Sequence, residues 1–120
     1  MVFTSFSTNK LFESYTFYQE LLGLEAELIG DRFLHIYRET GGPIVVYQKT
    51  DHVPADFTVL NFQIQDIESI VNQLIEKGIT FLSYDEPIKT DQKGISWDDQ
   101  GSHLAWFKDP GGNILALIEN

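Results

Sequence analysis

The chain contains no cysteine, and this absence removes several chemistries at once. No disulfide can form, no thiol can act as a nucleophile, and no thiolate can bind a metal. Long apolar runs are also missing, since none approaches the roughly 18 residues that a membrane-spanning helix needs. Residues 1–6 lack the basic region and the long apolar stretch of a secretory signal. We therefore expect a cytoplasmic protein that does not act in a membrane.

Basic residues are scarce, with 8 Lys and Arg against 18 Asp and Glu, which gives a formal net charge of −10. Nucleic acids and anionic membrane surfaces are bound through basic patches, so neither is an expected partner. A positively charged ligand is compatible with this balance. The alternative is that the acidic surface only keeps the chain soluble.

Two hairpin patterns are the clearest feature that the sequence does contain. Apolar runs at 104–107 and 114–118 flank the turn 109–113 (Asp-Pro-Gly-Gly-Asn). Runs at 33–38 and 44–48 flank the turn 39–43 (Glu-Thr-Gly-Gly-Pro) in the same way. Proline and glycine favour tight turns, so each pattern predicts a β-hairpin. The glycine pairs lie 70 positions apart, which indicates one module present twice.

Helical spacing of apolar residues predicts helices at 11–22, with Asn9 as N-cap, and at 66–77, with Asp66 near the start. The predicted strands are 2–8, 24–29, 33–38 and 44–48 in the first half, and 57–64, 79–84, 104–107 and 114–118 in the second. This order predicts an α+β fold of two βαβββ modules. We assign module one to residues 1–49, a linker to 50–56 and module two to 57–120, within a single domain 1–120. The polar stretch 85–100 is an insertion that serves either as a binding loop or as a plain surface loop.

Two segments carry a resemblance to a known family. Residues 17–24 (FYQELLGL) and 106–113 (WFKDPGGN) resemble signatures of the vicinal oxygen chelate superfamily. This superfamily comprises glyoxalase I, bleomycin resistance proteins, fosfomycin resistance enzymes and extradiol dioxygenases. The resemblance spans the whole chain and implies mixed sheets curled into a cradle. It also implies that enzymatic members hold one divalent metal there and that many small members are homodimers.

The resemblance places the metal-ligand positions on Phe3, Val46, Val59 and Ala116. In metal-dependent members these positions carry His, Glu or Gln, but here all four are apolar. A site without nitrogen or oxygen donors does not hold such a cation. We therefore expect no metal and no other cofactor.

The same register predicts which side chains line the cradle. Residues two positions from the four apolar ones share their face, because side chains alternate along a strand. Pairing across the hairpins adds further residues, although a bulge beside either turn would bring in Trp106 instead. The predicted ligand-binding set is Phe3, Ser5, His35, Tyr37, Val46, Gln48, Val59, Asn61, Trp97, His103, Phe107 and Ala116.

Trp97 is a large apolar residue in the polar insertion, so we expect it to be packed rather than solvated. It would lie either at the mouth of the cradle, stacked on an aromatic or cationic ligand, or against a dimer partner. Catalytic residues cannot be assigned from the sequence. Ser5 and Ser7 have no identifiable base, and His52 lies in the linker, where we expect it to be solvated.

Three functions are compatible with these features. The first is a metal-free protein of the bleomycin resistance type that binds a small hydrophobic or aromatic molecule, which could also be cationic. The second is a metal-dependent lyase or dioxygenase of the glyoxalase type, with its ligands at other positions. The third is a non-catalytic homodimer whose cradle is plugged by its own side chains.

Overall fold

The computed structural model describes residues 1–85, 88–97 and 101–120. By its contacts the chain divides into two compact units, Met1–Ala55 with Asp109–Asn113, and Asp56–Lys108 with Ile114–Asn120. Each unit contains one four-stranded mixed sheet. The predicted α+β fold of two βαβββ modules is confirmed. In the described ranges, no helix is long and apolar enough to cross a membrane.

The first unit has its elements in the predicted order. Its sheet runs β1-β4-β3-β2, with β1 and β4 parallel and the other pairs antiparallel. The helix α1 continues into one π-helical turn, so together they cover the predicted range almost fully. The elements are β1 Thr4–Thr8, α1 Leu11–Thr16, the π-helical turn Phe17–Leu21, β2 Ala26–Ile29, β3 Phe33–Ile36 and β4 Ile44–Gln48.

The start of α1 differs from the prediction, because Lys10 and not Asn9 occupies the N-cap position, and it makes no side-chain capping bond. The amide of Leu11 instead donates to Oε1 of Gln48, at the end of β4, over 3.2 Å. A helix leaves its first amides without intrahelical partners, so this strand residue takes over the role of a cap. Gln48 was predicted to bind a ligand, whereas in the structure its side chain caps α1.

The core of the first unit lies between its sheet and α1. Phe6, Leu34 and Val46 are buried on this side of the sheet. The ring of Tyr18 meets the ring of Phe6 edge-on at 6.5 Å. Strand pairing puts the remaining side chains on the other face, which we call the open face of the sheet. It carries Ser5, Ser7, Glu27, Ile29, Phe33, His35, Val45 and Tyr47.

The second unit repeats the plan, with its sheet in the order β5-β8-β7-β6 and only β5 and β8 parallel. Its core lies between the sheet and α2, whose residues Ile67, Val71 and Leu74 are buried. The elements are β5 Thr58–Gln63, α2 Ile67–Glu76, β6 Ile95–Trp97, β7 His103–Lys108 and β8 Ile114–Glu119.

The N-terminus of α2 is capped from two sides. Asp66 is the N-cap, in a left-handed backbone conformation with φ of 56°, and its Oδ1 accepts from the amide of Ser69 at 3.4 Å. The amide of Ile67 donates to Oε2 of Glu119 over 3.1 Å. Glu119 ends β8 as Gln48 ends β4, so both modules cap their helix from the last strand.

The strand predicted at 79–84 is wrong. This segment contributes only a single bridge between Phe81 and Phe107, and β6 is formed by Ile95–Trp97 instead. Ile95 is fully buried and pairs with Ala105, so it supplies the apolar side chain that the sheet edge needs. The predicted insertion 85–100 therefore contains a strand, and its residues 86–87 and 98–100 lie outside the described residues.

Candidate functional site: the open face of the second sheet

The second sheet has one face covered by α2 and one open face. Ala116 on β8 pairs with Asn61 on β5 and with Trp106 on β7, so these three side chains share the open face. Leu104 and Ile118 pair with each other and form the next row of this face along the same ladder. Ala116 is only 1% exposed, whereas Asn61 is exposed and Trp106 is partly exposed.

The register of this hairpin corrects two predicted site residues. Phe107 pairs with Leu115, and His103 pairs with Glu119, so both lie on the face opposite Ala116. Phe107 is fully buried in the core. The predicted pairing was off by one residue, and a shift of one residue moves every side chain of a strand to the other face. Val59 falls in a bulge of β5, between Thr58 and Leu60.

A cavity of about 270 Å³ opens at one end of this face. The ring of Tyr84 meets the ring of Trp106 edge-on, with 5.3 Å between their centres. Phe57 and Ile88 add apolar surface and are 64% and 49% exposed. The full lining is Asp56, Phe57, Thr58, Tyr84, Asp85, Ile88, Trp106 and Ile114. We call this cavity the aromatic pocket.

Backbone hydrogen bonds hold Tyr84 at the pocket. The amide of Leu82 donates to the carbonyl of Trp106 over 2.8 Å, which fixes the segment along β7. The amide of Tyr84 donates to Oγ1 of Thr90 at 2.8 Å, and the amide of Thr90 donates back to the carbonyl of Tyr84 at 3.0 Å. The two aromatic rings are therefore placed by the sheet and by a closed loop. The sequence prediction missed Tyr84 because it placed this residue in a regular strand.

All charged residues in the described lining of the aromatic pocket are acidic. Asp56 and Asp85 are both exposed at its rim, and its described lining contains no basic residue. An aromatic ring attracts a cation through its face, and carboxylates add Coulomb attraction. The arrangement can hold a flat apolar molecule, and it favours one that carries positive charge.

The open face of the first sheet carries part of the predicted set. Ser5 and His35 both pair with Val45, so they lie in one row across the sheet. The rings of His35 and Tyr37 are 6.2 Å apart, and the hydroxyl of Tyr37 donates to Oε1 of Glu27 over 2.6 Å. This bond and burial raise the pKa of the Tyr37 hydroxyl.

Two further residues of the predicted set, Val46 and Phe3, belong to the first unit. Val46 lies in the core and not on the open face, because β4 has the opposite register to the predicted one. Its neighbours Ile44 and Val45 are apolar too, so alternation alone did not show which side faces the core. Phe3 precedes β1 and is 55% exposed.

His52 was predicted to be solvated, but in the structure both of its ring nitrogens have a protein partner. Its Nδ1 lies 2.6 Å from Oγ of Ser7, and its Nε2 lies 3.0 Å from the carbonyl oxygen of Gly111. Both partners are far from His52 in the sequence, at separations of 45 and 59 residues. No local pattern could have indicated these contacts.

The turn at 109–113 is built around a buried carboxylate, that of Asp109, which is only 5% exposed. Its Oδ1 accepts from the amides of Gly111 at 3.0 Å and Asn113 at 2.9 Å. Its Oδ2 accepts from the hydroxyl of Tyr18 at 2.7 Å and from Nδ2 of Asn113 at 3.1 Å. Burial and the nearby charge of Asp109 raise the pKa of Tyr18 well above its ordinary value.

Trp97 lies away from the aromatic pocket. It pairs with His103 and is 46% exposed on the edge strand β6. Its ring meets that of His103 at 4.5 Å, and its Nε1 donates to Oδ2 of Asp91 over 2.8 Å. Trp97 instead borders a groove of about 530 Å³ along α2, lined mostly by polar and acidic side chains. Trp97 is not part of the lining of the aromatic pocket, and its two predicted roles, at the mouth of the cradle or against a dimer partner, stay predictions.

The residues present do not fit the divalent metal of the family. The four predicted ligand positions are Phe3, Val46, Val59 and Ala116, and the corrected register of β4 replaces Val46 only by Val45 or Tyr47. None of these side chains is an ordinary ligand of such a cation. Across the described ranges, no group of three or more His, Asp or Glu side chains is arranged to hold a metal ion.

The chain has the fold of the glyoxalase/bleomycin resistance/dioxygenase superfamily. The predicted resemblance to the vicinal oxygen chelate superfamily is therefore confirmed at the level of fold. No family model and no curated protein matches its sequence. Similar solved structures include lactoylglutathione lyase from Agrobacterium tumefaciens, with a TM-score of 0.72, 16% identity, and coverage of 100% of this chain and 92% of that one.

Two further structures show the same likeness. The bleomycin resistance determinant encoded on the transposon Tn5 has a TM-score of 0.71 and 19% identity, over 100% of this chain and 97% of that one. A superfamily member from Sphaerobacter thermophilus has a TM-score of 0.68 and 21% identity, over 100% and 98% of the two chains. Identities this low leave the function to be argued from the site.

Proposed function

We propose that the chain is a small-molecule-binding protein whose ligand is aromatic and positively charged and lies in the aromatic pocket. The observation that carries this proposal is the pair of rings of Trp106 and Tyr84 beside the carboxylates of Asp56 and Asp85. Small-molecule sites combine apolar and aromatic walls with a few polar groups that orient the ligand. The pocket has this composition.

We also propose that the protein binds its ligand without a metal or other cofactor. The apolar residues at the positions of the family's metal ligands support binding over a metal-dependent lyase or dioxygenase reaction. The similar structure from the transposon Tn5 is named for bleomycin resistance, and this likeness supports the same kind of role. We further propose that the chain forms a homodimer and works in the cytoplasm.

The ligand site that we propose revises the predicted set in one respect. Trp106 and Tyr84 replace Phe107 and His103, which belong to the other face. Asn61 and Ala116 share a face of the sheet with Trp106 but do not line the aromatic pocket. Ser5, His35 and Tyr37 lie on the open face of the first sheet and form a second polar surface. They belong to the first unit and are not part of the proposed ligand site.

The test is a fluorescence titration with thioflavin T, a cationic aromatic dye, and with anilinonaphthalene sulfonate, an anionic one. We expect saturable binding of thioflavin T and much weaker binding of the anion. Trp106→Ala removes the main aromatic wall and should weaken thioflavin T binding by about 1–3 kcal/mol, as truncation of a buried aromatic anchor does. Thermal melting of the variant shows whether it still folds.

The matched control is Trp97→Ala, because Trp97 is the chain's other tryptophan and lies outside the aromatic pocket. We expect this variant to bind the dye as the parent chain does. Equal losses in both variants would place the dye elsewhere or show a general loss of structure. Tighter binding of the anion than of the cation would contradict the proposed ligand class.

A further inference from the structure

We propose that Ser7 is a nucleophile activated by His52, and that the chain cleaves carboxylic esters of aromatic alcohols at the open face of the first sheet. The inference rests on a hydrogen-bonded series of three groups: Oγ of Ser7, the imidazole of His52 and the main-chain carbonyl of Gly111. It is independent of the aromatic pocket, which belongs to the second unit.

The hydrogen bonds determine the tautomer of the neutral imidazole. A carbonyl oxygen can only accept, so Nε2 of His52 carries the proton that it donates to Gly111 over 3.0 Å. Nδ1 is then left with a lone pair, and the hydroxyl of Ser7 donates to it over 2.6 Å. A nucleophile, a base within hydrogen-bond reach and a third group that orients the base are the components of an activated serine.

The base is held in place from both ends. The amide of His52 donates to the carbonyl of Lys49 at 3.0 Å, and the amide of Lys49 donates to the carbonyl of Thr8 at 2.8 Å. The amide of Gly111 donates to the buried Asp109 at 3.0 Å, which fixes the carbonyl that orients His52. The imidazole is therefore positioned by the fold and needs no rearrangement to accept the proton of Ser7.

The surroundings of Ser7 indicate the kind of substrate. Ser7 is partly exposed, and it pairs with Tyr47, which in turn pairs with Phe33. Neighbouring strands lie about 4.8 Å apart, so the two rings follow Ser7 in a row across the sheet. Phe33 is 44% exposed, which leaves apolar surface available to an aromatic group. An aryl ester could place its ring there and its carbonyl carbon at Ser7.

The reaction proceeds in two balanced steps. Oγ of Ser7 forms a bond to the carbonyl carbon as its proton moves to Nδ1 of His52, and the bond from that carbon to the aryl oxygen breaks. The proton on Nδ1 then passes to the departing aryl oxide. Water attacks the acyl group on Ser7 in the same manner, releasing the carboxylic acid and restoring the hydroxyl.

The experiment treats the full chain with diisopropyl fluorophosphate and locates any label by mass spectrometry of the intact protein and its peptides. We expect one diisopropylphosphoryl group per chain, on Ser7. Hydrolysis of p-nitrophenyl acetate should show a burst of nitrophenol that prior labelling abolishes. His52→Gln keeps a donor for the carbonyl of Gly111 but removes the base, and it should slow labelling of Ser7 at least a hundredfold.

Ser5 is the internal control. It lies on the same face of β1, two residues earlier, and in the described part of the chain it makes no hydrogen bond to a histidine. Ser7→Ala should lose the label and the burst, whereas Ser5→Ala should keep both. Absence of label on Ser7, equal labelling of Ser5 and Ser7, or unchanged labelling in a folded His52→Gln variant would each overturn the proposal.

Discussion

The two glycine-pair turns occupy equivalent places in the two modules but have different surroundings. In the turn at 39–43, Glu39 is exposed, and the turn is held mainly by a bond of 2.8 Å from Nε of Arg38 to the carbonyl of Gly42. In the turn at 109–113, Asp109 is buried and accepts four hydrogen bonds. The backbone differs as well, because the positive φ falls on Gly41 in the first pair and on Gly112 in the second. Of the two turns, only the one at 109–113 is built around a buried carboxylate.

The difference in burial between the two turns lies in their side chains. The shape of the turn depends on its glycines, whereas the buried network depends on the carboxylate of Asp109, the amide of Asn113 and the hydroxyl of Tyr18. The same network fixes the carbonyl of Gly111 that orients His52. The contacts imply that the turn at 109–113 contributes more to stability than the turn at 39–43.

The largest effect is expected from Asp109→Ala. The change leaves the hydroxyl of Tyr18 and two main-chain amides buried without their acceptor, and unsatisfied buried donors cost about 1–3 kcal/mol each before relaxation. We expect the free energy of unfolding to fall by about 3 kcal/mol or more. Urea unfolding followed by circular dichroism measures this loss.

The matched variant is Glu39→Ala in the other turn. Glu39 is exposed, and exposed substitutions of this kind stay within about 0.5 kcal/mol of the parent chain. Similar losses in the two variants would mean that the two turns are equivalent, and the comparison would fail.

A smaller effect is expected from Tyr18→Phe. The ring keeps its packing against Phe6 and Phe17, but the 2.7 Å hydrogen bond to Asp109 is lost. Asp109 retains its other three donors, so we expect a loss of about 1.5 kcal/mol, the usual value for a bond to a charged group. Tyr15→Phe is the control, since its hydroxyl has no hydrogen-bond partner within the described residues, and it should unfold as the parent does.

The smallest effect concerns the two helix caps supplied by Gln48 and Glu119. The hydrogen bond from His103 and then that from the amide of Ile67 lower the pKa of Glu119. A lowered folded-state pKa stabilises the fold above the ordinary pKa of the group, and this contribution is lost as the pH falls through the folded-state value. The carboxylate should therefore support α2 fully at pH 7 and progressively less below about pH 4.

The corresponding measurement is the melting temperature of Glu119→Gln between pH 7 and pH 3. The gap between this variant and the parent should be widest at pH 7 and close in acid. Gln48→Ala should instead give a gap that does not depend on pH, because the cap of α1 is uncharged. A Glu119→Gln gap that stays constant would contradict the role of its charge.

Much of the fold could be predicted from local patterns. The apolar spacing of α2 and the glycine pairs of both turns depend only on neighbouring residues, and the structure confirms both helices and both hairpins. The choice between 79–84 and Ile95–Trp97 as a strand depended on pairing with β7, which lies further along the chain. Short strands at a sheet edge are set by such long-range pairing and not by their own sequence.

The site was less predictable for the same reason. Whether Phe107 or Trp106 lies on the open face depends on a one-residue shift in the hairpin, and both residues are aromatic. In β4, apolar residues occur on both faces, so alternation did not identify the core side. The contacts of His52 with Ser7 and Gly111 join distant segments, and only the folded chain shows them.

The most direct test of the central claim uses the two indole N–H signals of the chain in a nitrogen–proton NMR spectrum, one from Trp97 and one from Trp106. Trp97→Phe assigns them. On titration with thioflavin T, the signal of Trp106 should shift in a saturable manner, and that of Trp97 should stay in place. A shift of the Trp97 signal alone, or no shift of either signal at saturating dye, would contradict the assignment of the aromatic pocket as the binding site.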